Sequence, residues 1–199
     1  MVKGANGMEE LSDLIAIATA HIEPGFFRLN IHGGPAVYRE RVYCYELYHQ
    51  MRRRWPEECA FTLNGEVDKI AHPILSQLGA AGYKPDLLVH QPGYMGGNHA
   101  VMEVKSALAA YRGVKKDLTT LALFRRNVGY ARAIYLIYGE EAEDDLADRI
   151  AAKAEMYAPD VSIELWFHTA ALEPATQVRT LQPSAADVHS VRATRRRSR

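Results

Sequence analysis

Cysteine is nearly absent from this chain. Cys44 and Cys59 are the only two in 199 residues. They offer neither the close spacing of a zinc site nor the number that a disulfide framework needs. Two reduced thiols are expected, with Cys44 in the core because it falls inside an apolar helical pattern. Long apolar runs are lacking as well. Even Leu14 to Ala20 is far shorter than the roughly 20 residues that span a bilayer, so no membrane association is expected. The first residues, Met1 to Gly7, lack the charged and apolar blocks of a signal peptide, and a cytoplasmic protein is the expectation. There is no excess of one charge: 24 basic residues meet 24 acidic ones. That argues against a protein held to nucleic acid by bulk charge alone. No strand pattern is followed by a glycine-rich phosphate loop or a G-x-G-x-x-G run, so folds that bind nucleotide cofactors lose support. No segment repeats.

What is present points to a globular α/β domain. Hydrophobic residues make up 48 % of the chain, which excludes a disordered protein. Charge is clustered: Arg52-Arg53-Arg54, Lys115-Lys116, Arg125-Arg126 and Arg195-Arg196-Arg197 are basic, and positions 140 to 145 are mostly acidic. A basic face and an acidic face are both compatible with the neutral sum.

The periodicities place the elements. Apolar residues at 8, 11, 15, 18 and 22 predict a first amphipathic helix. A second helix is expected from Val37 to Trp55, stopped by Pro56. Its apolar stripe is read as Tyr38, Val42, Tyr45, Tyr48 or His49, and Trp55, with Glu46 at the border. Ala60 to Leu63 predicts a strand ending at Asn64-Gly65. Residues 86–90 and 99–105 predict a hairpin about the Pro-, Gly- and Asn-rich break between them. A helix over 113–126, a buried strand over 131–138, a helix over 142–157 and a strand over 161–167 follow. The fold class is α/β, a mixed central sheet flanked by helices. Residues 1–171 are expected to form one domain, and 172–199 a loosely ordered basic tail.

The hairpin carries the chemistry. Asp86 opens its first strand, and Glu103-Val104-Lys105 closes its second. Folding about the middle of the break sets position 86 opposite positions 103 to 105. Alternation puts Glu103 and Lys105 on one strand face and Val104 on the other. Two carboxylates and an amine beside apolar strands are costly unless something binds there. A hard divalent cation is the natural candidate.

A glutamate-bearing helix, then a hairpin with Pro85-Asp86 and Glu103-Val104-Lys105, then a helix and a strand, resembles the PD-(D/E)XK nuclease superfamily. The likeness runs from about Tyr38 to Phe167. It implies a restriction endonuclease-like αβββαβ core, here with an extra N-terminal helix and a C-terminal helix–strand extension. It also implies a metal-dependent nuclease that hydrolyses phosphodiester bonds, in DNA by family preference, with Mg²⁺ as cofactor and Mn²⁺ as a substitute. Asp86, Glu103, the backbone carbonyl of Val104 and Glu46 would hold the metal. Lys105 would orient or help deprotonate the attacking water. Glu40 rivals Glu46 as the helix acid. Lys116 and Arg53 are secondary candidates for contacting nucleic acid. Many relatives act as dimers, so a homodimer or a partner protein is implied. The alternative is a catalytically inactive nucleic-acid- or protein-binding module on the same fold. His90 and His99 at the hairpin mouth are read as polar loop residues, with metal binding as the alternative, and Glu66 and Asp68 before it as turn residues, with lining the metal cleft as the alternative.

Overall fold

The computed structural model describes residues 7–66, 73–80 and 82–182. Six strands form one mixed sheet in the spatial order β1-β2-β3-β4-β5-β6. These are β1 (Thr62–Asn64), β2 (Leu87–His90), β3 (Asn98–Ser106), β4 (Arg132–Tyr138), β5 (Ile163–His168) and β6 (Thr176–Leu181). β1, β2 and β3 form an antiparallel meander, β3, β4 and β5 run parallel, and β6 returns antiparallel to β5.

β4 is the spine of the sheet. Its seven residues, Arg-Ala-Ile-Tyr-Leu-Ile-Tyr, are all buried, as a parallel strand covered on both faces must be. Alternation divides them. Ile134, Leu136 and Tyr138 join one apolar cluster with α1 (Gly7–Thr19), α2 (Pro24–Phe27) and α3 (Glu40–Arg53). Ala133, Tyr135 and Ile137 join the other with α6 (Lys115–Leu123) and α7 (Asp144–Tyr157). The short helices α4 (Pro73–Gln77) and α5 (Ala107–Ala110) complete the set. α6 continues into a wider π-type turn over Phe124–Val128, which ends at Gly129 with φ +83°, a conformation that glycine adopts without a Cβ penalty.

Two expectations are corrected. The first concerns the face of α3. It packs against the sheet through Tyr43, Leu47 and Met51, and Tyr45, placed in the stripe by the sequence, is 67 % exposed. Tyr43 stacks flat on Tyr138, with ring centroids 3.8 Å apart. Its hydroxyl lies 2.7 Å from Nδ1 of His168 at the end of β5. Those contacts fix how α3 is rotated. The second concerns residues 172 onward. The folded unit does not end at 171, because β6 adds a sixth strand there. It is an edge strand with four polar residues in Thr-Gln-Val-Arg-Thr-Leu, and only Leu181 is buried, so it carries no apolar alternation to read. The Arg195-Arg196-Arg197 run and Asp68 lie outside the described residues.

Among the described residues, no helix is long and apolar enough to cross a membrane.

Candidate active site at the end of β3

The hairpin register follows the expectation. Leu87 pairs with Met102 and Leu88 with Val101, so Asp86, one residue before β2, stands opposite Glu103. β2 has ended at that point, and Val104 has no strand partner on that side. The Asp86 side chain replaces the missing strand: its Oδ2 accepts a hydrogen bond from the Val104 N–H at 2.7 Å. The Val104 carbonyl leaves the strand on the same side as its N–H, toward Asp86.

The carboxyl groups of Asp86 and Glu103 are within hydrogen-bonding reach of each other. Glu103 is only 7 % exposed. Burial pushes its carboxyl well above the ordinary glutamate value, and the charges of Asp86 and Asp117 push it further. Asp86 is also raised by burial, opposed by its bonds from Val104 and Glu103. Both carboxyls of the pair are thus held above their ordinary values.

Lys105 lies beside this pair. Its Nζ is 3.3 Å from Asp117 Oδ2 and 3.4 Å from Glu40 Oε2. Burial works to lower the amine, but the Asp117 and Glu40 charges outweigh it, and the net shift is upward. Asp117 is buried in the first turn of α6 and accepts a hydrogen bond from the Tyr135 hydroxyl at 2.9 Å. Burial is the largest influence on its carboxyl too, and raises it. Glu40 Oε1 faces the Ser106 N–H at 3.4 Å. Glu40, Asp86, Glu103 and Asp117 thus surround one lysine at the C-terminal end of β3.

The predicted residues fall into two groups. Asp86, Glu103, Val104 and Lys105 come together. Glu46, Lys116 and Arg53 do not join them. Glu46 lies off the sheet-facing side of α3, where its Oε1 accepts from the Gln50 side-chain amide. Glu40, the rival, occupies the position at the site, because the sheet-facing side of α3 is rotated from the sequence reading. Lys116 is exposed while its neighbour Asp117 points inward. Arg53 is thirteen residues along α3 from Glu40, about 20 Å of helix.

Asp117 and Tyr135 are the members that the sequence reading left out. Asp117 had a signal. Val114, Asp117, Leu121 and Phe124 share the spacing of three to four that marks the buried face of α6, and an acid on such a stripe needs a partner. The two histidines have structural roles. His90 Nε2 is 2.9 Å from Asn64 Oδ1 across the β1–β2 pair, and His99 stacks on Phe61.

A cleft of about 470 Å³ opens on the site, lined by Glu40, Cys44, Tyr45, Tyr48, Glu66 and Asp86. Burial, reinforced by Asp86 and Glu40, holds the Cys44 thiol well above its ordinary value, which leaves it protonated and without nucleophilic character.

The donor chemistry fits a hard cation. Among the described residues, no three carboxylate, imidazole or thiol groups are gathered about one ion position. The protein ligands on offer are two adjacent carboxyl groups and the Val104 carbonyl. All are oxygens, and one or two carboxylates are what Mg²⁺ ordinarily takes while keeping several waters. Both carboxyls would have to be deprotonated to ligate it. Comparison of the chain with models of protein families, with curated proteins and with solved structures gave no match.

Proposed function

We propose that the chain is a metal-dependent nuclease that hydrolyses phosphodiester bonds, with DNA as substrate. The observation that supports this most is the convergence of Asp86, Glu103 and Lys105 at the end of β3, with Asp86 bonded to the Val104 N–H and Lys105 held by Glu40 and Asp117. A cluster of four acids and one amine, in which Glu103 and Asp117 are buried, carries more negative charge than one lysine balances, and a divalent cation would restore the balance.

Asp86, Glu103 and the Val104 carbonyl would hold Mg²⁺, or Mn²⁺ in its place. When bound, the ion supplies a water of lowered pKa and neutralises charge on the phosphoryl oxygens. The rest falls to the chain. Lys105 is held protonated, so it donates hydrogen bonds to the attacking water or to a phosphoryl oxygen as negative charge grows there. Glu40 and Asp117 grip the amine from two helices, α3 and α6, and fix its place. Tyr135 in turn fixes Asp117. The water gives up a proton to solvent as its oxygen bonds to phosphorus, the phosphorus–oxygen ester bond breaks, and the leaving alkoxide takes up a proton from solvent. A cytoplasmic setting accords with the two free thiols, Cys44 and Cys59. No recognition domain accompanies the site among the described residues, so choice of substrate is assigned to DNA structure, to a second copy or to a partner protein.

The test is cleavage of labelled single-stranded, duplex and branched DNA, and of RNA, with Mg²⁺ or Mn²⁺. Wild type is expected to cut at least one DNA form. Asp86→Ala and Lys105→Ala are each expected to lose about 10²-fold or more in rate with an unchanged circular dichroism spectrum. Failure of wild type to cut any form with either metal would replace this reading with that of a non-catalytic binding module. One feature favours that second reading: Lys105 already spends part of its donor capacity on Glu40 and Asp117.

A further inference from the structure

A second concavity lies beyond α5, the helix that follows Ser106 in the chain. The turn after α5 and the start of α6 face α7 across a cavity of about 360 Å³. Four cations line it: Arg112, Lys115, Arg149 and Lys153. No acidic side chain lines it. Among the described residues, Arg112, Lys115 and Lys153 have no carboxylate partner, and Arg149 alone is paired, with Asp145. Two tyrosines stand among the charges. Lys115 Nζ lies 5.4 Å from the ring centre of Tyr157, and the Arg149 guanidinium lies 5.1 Å from that of Tyr111.

The chain is neutral overall, and several of its other described surface cations are paired with acids, as Arg28 is with Glu140, Arg126 with Asp160 and Arg179 with Asp148, whereas here three cations unpaired among the described residues share one hollow. Like charges left unpaired in one hollow repel one another and destabilise the fold unless an anion joins them.

The cavity is also connected to the candidate active site. An adjoining groove shares Tyr111, Arg112 and Gly113 with it and extends to Ser106, Tyr38 and Arg28. Ser106 follows Lys105, and its N–H faces Glu40. A strand whose scissile phosphate sits at Lys105 would have its next phosphates along this groove, and it would meet Arg112 before the other cations.

We propose that the groove and cavity bind the phosphodiester backbone of a nucleic-acid strand leading away from the site at Lys105. The ligand is a run of successive phosphates. Cations set along a groove with aromatic rings between them suit a single strand, whose backbone they track and whose bases find ring faces. The assignment of direction rests on the nuclease reading. The binding itself does not.

The test is therefore made without metal. The full chain in EDTA is titrated with a fluorescently labelled oligonucleotide, single-stranded or duplex, over a series of salt concentrations, and tripolyphosphate serves as competitor. Arg112→Gln/Lys153→Gln is the variant, since both side chains are exposed and lie outside the core. Wild type is expected to bind the single strand more tightly than the duplex. The double variant should bind every sequence more weakly, with its salt slope smaller by about 2. An unchanged affinity and slope in the double variant would overturn the proposal. So would binding of tripolyphosphate alone without any oligonucleotide. Wild type that binds through Arg112 and Lys153 but cuts nothing with Mg²⁺ or Mn²⁺ would remove the nuclease reading and leave this one standing. Metal-dependent cutting with binding indifferent to the two substitutions would do the reverse.

Discussion

Asp86 Oδ2 receives the backbone N–H of Val104 at 2.7 Å, so one carboxylate both closes the end of a ladder and faces Glu103. The two duties separate in variants. Asparagine keeps an acceptor oxygen and loses the charge, whereas alanine leaves a buried N–H without a partner. Asp86→Asn is expected to exceed Asp86→Ala in stability by about 1–3 kcal/mol, read by urea unfolding in EDTA. Both variants are expected to fail in metal-dependent cleavage. Equal stability of the two would mean that the bond to Val104 contributes nothing.

The carboxyl of Glu103, raised chiefly by burial, gives a dependence on pH. Its folded value lies above its unfolded value of about 4.3. Between the two, the folded chain keeps a proton that the unfolded chain has released, so this group's contribution falls as pH rises. Glutamine has no proton to lose. In EDTA, Glu103→Gln should therefore be more stable than wild type at pH 8, by about 1–3 kcal/mol, and the gap should close toward pH 4. A gap that widens on acidification would show that the sign is wrong. Added Mg²⁺ should stabilise wild type and not the variant.

The two helix glutamates are separated by a pair of single substitutions. Glu40→Gln removes a charge from Lys105 and is expected to change the pH profile of cleavage and to slow it. Glu46→Gln touches only the bond to Gln50, an interaction whose loss falls within about 0.5 kcal/mol, and is expected to leave cleavage unaltered. Slowing by the second variant and not the first would restore the role that the resemblance gives Glu46.

That assignment shows where sequence patterns stop being informative. The hairpin was legible because its charges sit at the ends of two short apolar runs, and pairing geometry then leaves little freedom. β4 was legible because an apolar run rich in β-branched and aromatic residues between Gly129 and Gly139 admits few other readings. α3 was not. Tyr43 lies on one side of the helix and Tyr45 and Tyr48 on the other, and a tyrosine is tolerated both at a surface and in a core. Periodicity therefore allowed a stripe that put Glu46, and not Glu40, near the sheet. The packing of Tyr43 on Tyr138 resolves this, and it joins residues far apart in the chain. β6 was missed for a different reason. A strand at an edge, covered on one side at most, is held by its backbone ladder and needs little apolar sequence. Asp117 was passed over because Lys116 beside it looked the more natural contact for a phosphate.

Ser106, Tyr138 and His168 end β3, β4 and β5 and stand in one row across the sheet. Three successive crossings from strand to following segment thus open at the same rim, beside the acids. The layers beneath this rim are sealed by residues from the strand interiors. Insertions in the segments after the three strands would alter what approaches Lys105 without disturbing those layers. The scaffold therefore separates the residues that keep it folded from those that select its ligand, and a lineage could change the second set repeatedly while inheriting the first intact.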